Sequence, residues 1–267
     1  MPILWGRPLI HERFRPRFLG SPPTLSSRNP LHHTDHSMRL AILSDIHSNL
    51  AALEAVVAKL PQYDELICLG DLVGYGPQPN EVIDKLQQLQ PAIVLMGNHD
   101  CAVVTGDVEG FSSHAAAAVE WTRRVISGAS VRYLATLKPS SRFERDGVTV
   151  ALFHGSPRDP LSEYVFPGLP ERIGRSLVEM AGARIVLLGH THMPMLYRFN
   201  GGVLANPGSV GQPRDADYRA SFALLTISHG EISFEVQRVE YDVSSVANRI
   251  IASGLPSFLA ERLSVGM

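Results

Sequence analysis

From Met38 onward, short apolar runs alternate with stretches whose apolar positions recur at helical spacing. Arg39–Leu43, Glu65–Leu69 and Ala92–Met96 read as buried strands. Between them, Asn49–Leu60 sets Leu50, Leu53, Val56, Val57 and Leu60 on one helical face, with Ser48 or Asn49 as N-cap. Glu81–Leu89 reads as a second helix, entered through Pro77 and Pro79. This strand–helix alternation predicts a parallel sheet with helices on its faces.

The second half is richer in hairpins. Ser113–Ser127 and Val131–Leu137 read as helices, Pro170–Ala181 as another, and Arg184–Leu188 as a strand. Arg142–Arg145 and Val148–Phe153 flank Asp146-Gly147, a strong hairpin turn. Met195–Phe199 and Val203–Leu204 flank Asn200-Gly201-Gly202; Ser221–Ile227 and Glu231–Val239 flank Ser228-His229-Gly230. Val243–Ile251 and Pro256–Leu263 are helical in pattern. The expected class is α/β: two mixed β-sheets packed face to face with helices outside, in a single domain over residues 38–267. A helical insertion around 103–137 is the expected lid.

Residues 1–37 have a different character. They hold five arginines against Glu12 and Asp35, many prolines and no sustained period. We expect a disordered extension, or an artefactual one with Met38 as the true start; a targeting segment or a basic arm are the alternatives.

Composition removes several function classes. A net charge of -2 argues against a duplex nucleic-acid partner, since neutralising phosphates needs a basic face. No apolar run is long enough to span a membrane. Two cysteines, Cys68 and Cys101, make no disulfide scaffold and suit a reducing compartment, so the expected location is cytoplasmic. Cys68 reads as core and Cys101 as a packing residue.

Five of the eleven histidines follow apolar runs, beside Asp, Asn or Gly. Asp45 and His47 stand two apart in a segment expected to be extended, where both would point the same way. Asp71 follows Gly70 at the end of an apolar strand, where open α/β sheets bind ligands. Gly97-Asn98-His99-Asp100, His154-Gly155 and Gly189-His190-Thr191-His192 each follow another strand. Any one block could be a turn or a satisfied core histidine. Together they would bury several costly polar groups that one or two metal ions would satisfy. Asn206-Pro207-Gly208-Ser209 is expected to be a turn that closes the site, and Tyr75 either stacks on a base or lines the loop.

In this order, Asp-x-His, Gly-Asp, Gly-Asn-His-Asp, His-Gly and Gly-His-x-His resemble the calcineurin-like metallophosphoesterase superfamily, over Met38 to about Asp215. The size and the Asn206–Ser209 block resemble its small bacterial and archaeal phosphodiesterases. The run Gly70-Asp71-Leu72-Val73-Gly74-Tyr75-Gly76-Pro77 is similar to a branch labelled phosphoesterase or diadenosine tetraphosphate hydrolase. The resemblance implies that the Ser221–Val239 hairpin belongs to the second sheet. It implies that Asp45, His47 and His192 hold one metal, that Asn98, His154 and His190 hold another, and that Asp71 bridges them. His99 would protonate the leaving group or stabilise the transition state, with Asp100 orienting it. Two divalent ions are implied, with Mn favoured and Fe, Zn, Co or Ni as options for N and O ligands. The implied reaction is hydrolysis of a small phosphodiester or nucleotide substrate, by in-line attack of a metal-bridging hydroxide.

Gly74 and Tyr75 stand where the family's protein phosphatases carry an Asp and an Arg that grips a monoester. That departure weighs against a protein phosphatase, unless Arg214 or Arg158 substitutes. Phosphomonoesterase and non-catalytic scaffold remain the other readings; the retromer subunit of this fold has lost its catalytic histidine.

Overall fold

A computed structural model describes residues 37–267; the expectations for the preceding segment lie outside the described residues. Strand β1 (Met38–Leu43) leads through Asn49 into helix α1 (Leu50–Lys59), and the Asn49 side chain accepts from the amide of Ala52 as cap. Strand β2 (Glu65–Cys68), helix α2 (Pro79–Gln88) and strand β3 (Ile93–Val94) follow. Strands β1, β2 and β3 are parallel, as the alternating pattern predicts. β3 is shorter than Ala92–Met96 because the chain turns away, Leu95 bridging to Lys138 and the Met96 amide donating to the Lys138 carbonyl.

Helix α3 (Asn98–Thr105) is not legible in the periodicity. Gly97 caps it without a side chain, and Asp100 reaches back to the Gly97 amide at 2.9 Å. Helices α4 (Ser113–Val125) and α5 (Gly128–Leu134) complete the insertion. Val103, Val119 and Leu134 bury into the core that α1 and α2 share with the first sheet. Trp121 is only half-buried, its Nε1 donating to the Ser253 carbonyl at 2.8 Å.

The second sheet has the order β4-β5-β6-β8-β7. Its strands are β4 (Ser140–Arg145), β5 (Val148–Phe153), β6 (Ile185–Leu188), β7 (Met195–Phe199) and β8 (Gly202–Asn206), with helix α6 (Glu171–Ala181) before β6. Asp146 and Gly147, both at positive φ, turn β4 into β5. β5, β6 and β8 run parallel.

Strands β9 (Ala220–Ser228) and β10 (Glu231–Val239) form the last hairpin. Its expected membership of the second sheet is corrected: β9 pairs antiparallel with β1, giving the first sheet the order β10-β9-β1-β2-β3. The reason is apolar matching, since β9 is buried along most of its length and continues the inner face of β1. Leu40, Ile42, Ile67 and Leu225 of that sheet meet Val150, Leu152, Ile185 and Leu187 of the other in one core. Helix α7 (Val243–Ala252), helix α8 (Phe258–Glu261) and a 3-10 turn (Arg262–Ser264) pack beside α4. The architecture is two mixed five-stranded sheets face to face with helices outside.

Candidate metal centre

The parallel strands of both sheets deliver their carboxyl ends to one place. β1 leads to Asp45 and His47, β2 to Asp71, β3 to Asn98, β5 to His154, and β6 to His190 and His192. All of them except the half-buried Asn98 are buried.

The Asp45–His47 segment is not extended, which corrects the strand reading. Asp45, His47 and Ser48 all sit at positive φ, between 49° and 54°. The coil is imposed by backbone bonds to the β2 loop: the Asp45 amide donates to the Gly70 carbonyl and the His47 amide to the Asp71 carbonyl, both at 3.0 Å. Asp71, His190 and His192 share the left-handed conformation. Such conformations cost free energy and persist where surrounding structure holds them, commonly at functional sites.

Two groups of ligand atoms form. Asp45, His47, Asp71 and His192 lie within 4.8 Å of one another, as do Asp71, His154 and His190. Asp71 belongs to both: its Oδ2 lies 3.5 Å from His47 Nε2 and 3.5 Å from His154 Nε2. Asn98 joins the second group with Oδ1 at 3.1 Å from His154 Nε2.

The donor chemistry fits a cation. His47 Nδ1 faces the Val73 carbonyl at 3.0 Å and His192 Nδ1 faces the Gln212 carbonyl at 2.6 Å. A carbonyl only accepts, so both Nδ1 atoms carry the proton and a neutral ring has a bare Nε2. Those two Nε2 atoms stand 3.0 Å apart, lone pair towards lone pair, beside Asp45 and Asp71. His154 repeats the device: Nδ1 donates to the Leu69 carbonyl at 2.8 Å, and Nε2 faces Asn98 and Asp71 oxygens. His190 is turned the other way, Nε2 donating to the Ser162 carbonyl, which frees Nδ1. These fixed tautomers are what outer contacts impose on metal-binding histidines.

In the metal-free protein, burial pushes His47 and His192 well below the usual imidazole range and takes His190 to about 3. Burial works against protonation of His154 too, but the Asp71 charge and hydrogen bond and the Asp45 charge lift it to about 9. For Asp71, burial alone would raise the carboxyl; His154 and His99 overcome this and hold it below the ordinary range. Asp45 rises to about 7, chiefly through burial.

His99 has its ring 4.4 Å from Tyr75, 4.9 Å from His47 and 4.8 Å from Phe111. Its Nδ1 is buried with no hydrogen-bond partner. The expectation that Asp100 orients His99 is corrected. Asp100 Oδ1 accepts from the amides of Leu72 and Val73, and Oδ2 from that of Gly97, so its oxygens serve the loops around Asp71. A carboxylate at a helix N-terminus satisfies unpaired amides there.

The Asn206–Ser209 segment closes the site by hydrogen bonds. Asn206 Nδ2 donates to the Gly189 carbonyl at 2.7 Å and Ser209 Oγ to the Asp45 carbonyl at 2.7 Å. Beside the centre is a cavity of about 410 Å³, lined by Tyr75, Asn98, Phe111, Tyr164, His190, Arg214 and Arg262 among others. Arg214 is thus at the site, whereas Arg158 pairs with Glu163 outside it. Tyr75 both lines the cavity and packs on His47. Phe111, Tyr164 and Arg262 are not distinguished by sequence pattern; each lies in a segment that reads as lid, loop or helix surface.

The calcineurin-like phosphoesterase superfamily domain matches residues 38–230. An uncharacterised protein of Methanocaldococcus jannaschii is 32% identical over 246 residues, covering 85% of this chain and 98% of that protein. The crystal structure of a metallophosphoesterase from Sphaerobacter thermophilus matches with a TM-score of 0.74 at 34% identity, covering 87% of this chain and 100% of that one. A symmetrical bis(5'-nucleosyl)-tetraphosphatase of Yersinia enterocolitica is 37% identical over 67 residues, 24% of this chain and 23% of that protein. With this match and its paired Asp/His clusters, the chain belongs to the calcineurin-like phosphoesterase superfamily and is a metal-dependent phosphoesterase.

Proposed function

We propose that the chain hydrolyses a small phosphodiester or nucleotide at a two-metal centre. In this reading Asp45, His47 and His192 hold one divalent ion, Asn98, His154 and His190 hold the second, and Asp71 reaches both. The observation that carries it is the position of Asp71 Oδ2, equally close to one imidazole Nε2 from each cluster. With N and O donors and no thiolate, Mn, Fe, Zn, Co and Ni all suit the set, and Mn is our choice. Such ions activate water and neutralise charge on phosphoryl oxygens when bound.

The chain's own groups do the rest. His99, packed beside His47 and pushed by burial down to about 4, protonates the departing oxygen or stabilises the transition state in this reading. Tyr75 and Phe111 hold its ring. Asp100 fixes the loops that carry Asp71 and Asn98, a positioning role. The insertion contributes Phe111 and its neighbours to the cavity wall and acts as the substrate-selecting lid. Cys68 and Cys101 are unpaired, which suits a reducing cytoplasm. Among the described residues no helix is long and apolar enough to cross a membrane.

The short match to the Yersinia tetraphosphatase supports a nucleotide substrate without extending to that protein's whole length. Arg214 in the cavity wall favours a second reading, a phosphomonoesterase, because a guanidinium can grip a dianion. The test is metal-stripped protein reloaded with Mn and assayed on a bis-aryl phosphodiester, an aryl monophosphate and diadenosine tetraphosphate. Faster turnover of diester or dinucleotide supports the proposal. Preference for the monoester replaces it with the second reading, and no turnover with metal bound leaves a scaffold.

A further inference from the structure

Arg262 reaches the cavity from the 3-10 turn after α8, beyond the 38–230 span of the family match. Arg214 reaches it from the loop after β8. Each is held by an aromatic ring: Arg214 lies 5.6 Å from the Tyr75 centroid and Arg262 5.4 Å from that of Phe258. Arg214 Nη2 donates to the Tyr75 hydroxyl at 3.2 Å and to Gln212 Oε1 at 3.0 Å, while its Nε is buried without a partner. Arg262 Nε donates to the main-chain oxygen of Met267.

Among the described residues, Arg145, Arg158, Arg175, Arg219 and Arg238 all pair with carboxylate side chains. The two cavity arginines do not. Burial, and then the charge of Arg214, push the Arg262 guanidinium down to about 10. Two like charges are therefore brought together in one wall, with the exposed Glu109 the one acidic side chain among the described lining residues. Asn98 and His190 line the same cavity, so whatever the arginines bind lies next to the second ligand cluster.

Two guanidiniums held on rings present rigid donor forks, the geometry that recognises phosphate. An anion there relieves their repulsion. Phe111 adds an aromatic ring to the same wall, against which a base can pack, while Tyr164 is stacked on His190. We infer that Arg214 and Arg262 form an anion subsite beside the metal centre, fitted to a second phosphoryl group and so to a phosphoanhydride-linked nucleotide rather than a simple diester. The inference rests on the phosphoesterase reading and specifies its substrate class.

The experiment compares AMP with α,β-methylene-ADP, which carries the second phosphoryl group and resists hydrolysis between the phosphates. Binding to the full-length Mn-loaded chain is measured by calorimetry. The diphosphate analogue binds at least about tenfold tighter than AMP, or about 1.4 kcal/mol. Arg262→Ala removes most of that preference, and Arg262→Lys restores part of it, because the charge remains while the fork is lost. Melting curves identify any variant that has lost its fold, and the lysine variant then carries the comparison. Equal affinity for the two nucleotides in the parent chain overturns the subsite, as does an Arg262 variant that weakens both equally. Turnover of the aryl diester with no diphosphate preference leaves the phosphoesterase reading standing and removes only the subsite. Selective diphosphate binding without turnover of any ester does the reverse.

Discussion

The amide of His99 donates to Oδ1 of Asp71 at 2.8 Å, so the carboxylate shared by both ligand clusters also rests on the N-terminus of α3. Helix amides and the positive end of the helix dipole favour the ionised carboxylate. One oxygen of Asp71 is spent on the fold and the other faces the metal centre.

Asp71→Asn is therefore expected to empty both clusters together. Metal analysis of the purified variant checks this; a variant that keeps two equivalents of Mn and full activity refutes the shared role of Asp71.

His99→Ala keeps its metals and loses about 10²- to 10⁴-fold in turnover, the usual contribution of a positioned proton donor. The loss is larger for esters with poor leaving groups, which need the proton most. Metal depletion in this variant would show instead that His99 is a ligand.

Gly97 has no room for a side chain. A Cβ there would stand 2.0 Å from Asp71 Oδ1 and 2.3 Å from the Asp71 amide nitrogen, and neither can withdraw. Gly97→Ala displaces Asp71, lowering metal content and melting temperature together. Gly74→Ala strains a backbone at φ +87 and drives a Cβ to 2.5 Å from His99 Nδ1. It lowers turnover while sparing the metals, so comparing the two variants separates the bridge from the proton donor.

Asp100→Asn leaves an amide nitrogen where a carboxylate oxygen served backbone donors. Leaving such buried donors unsatisfied costs about 1–3 kcal/mol. The variant melts earlier and binds metal more weakly. An unchanged melting temperature with a shifted pH–rate profile would restore the discarded role of Asp100 in orienting His99.

Metal-free protein gains stability from protonated His154, whose folded pKa of about 9 exceeds the ordinary 6.5. That contribution is complete below pH 6.5 and disappears as pH rises through about 9. Mn binding runs the other way, because His154 must give up its proton to ligate. Melting curves of the stripped protein should fall across this window while Mn affinity climbs. Metal-free stability that rises with pH would contradict the assignment.

Local sequence determined the strands, most helices and the identity of the polar residues at the strand ends. Apolar runs such as Leu66–Leu69 can only be buried, and a Gly-Asp or Gly-His immediately afterwards lies at the carboxyl end of a strand. Tertiary structure decided what those residues do together. Contacts from Gly70 and Asp71 coil Asp45–His47 into left-handed backbone, and amides of the neighbouring loops take Asp100 away from His99. The cap that starts α3 is a glycine completed by Asp100, a signal with no hydrophobic period. Hairpin β9–β10 joins the first sheet because β1 offers it a buried edge, and Arg262 meets Arg214 only because α7 and α8 pack against α4. Hydrophobic periodicity is a local property of the chain, whereas ligand geometry and charge pairing depend on which distant segments share a buried surface.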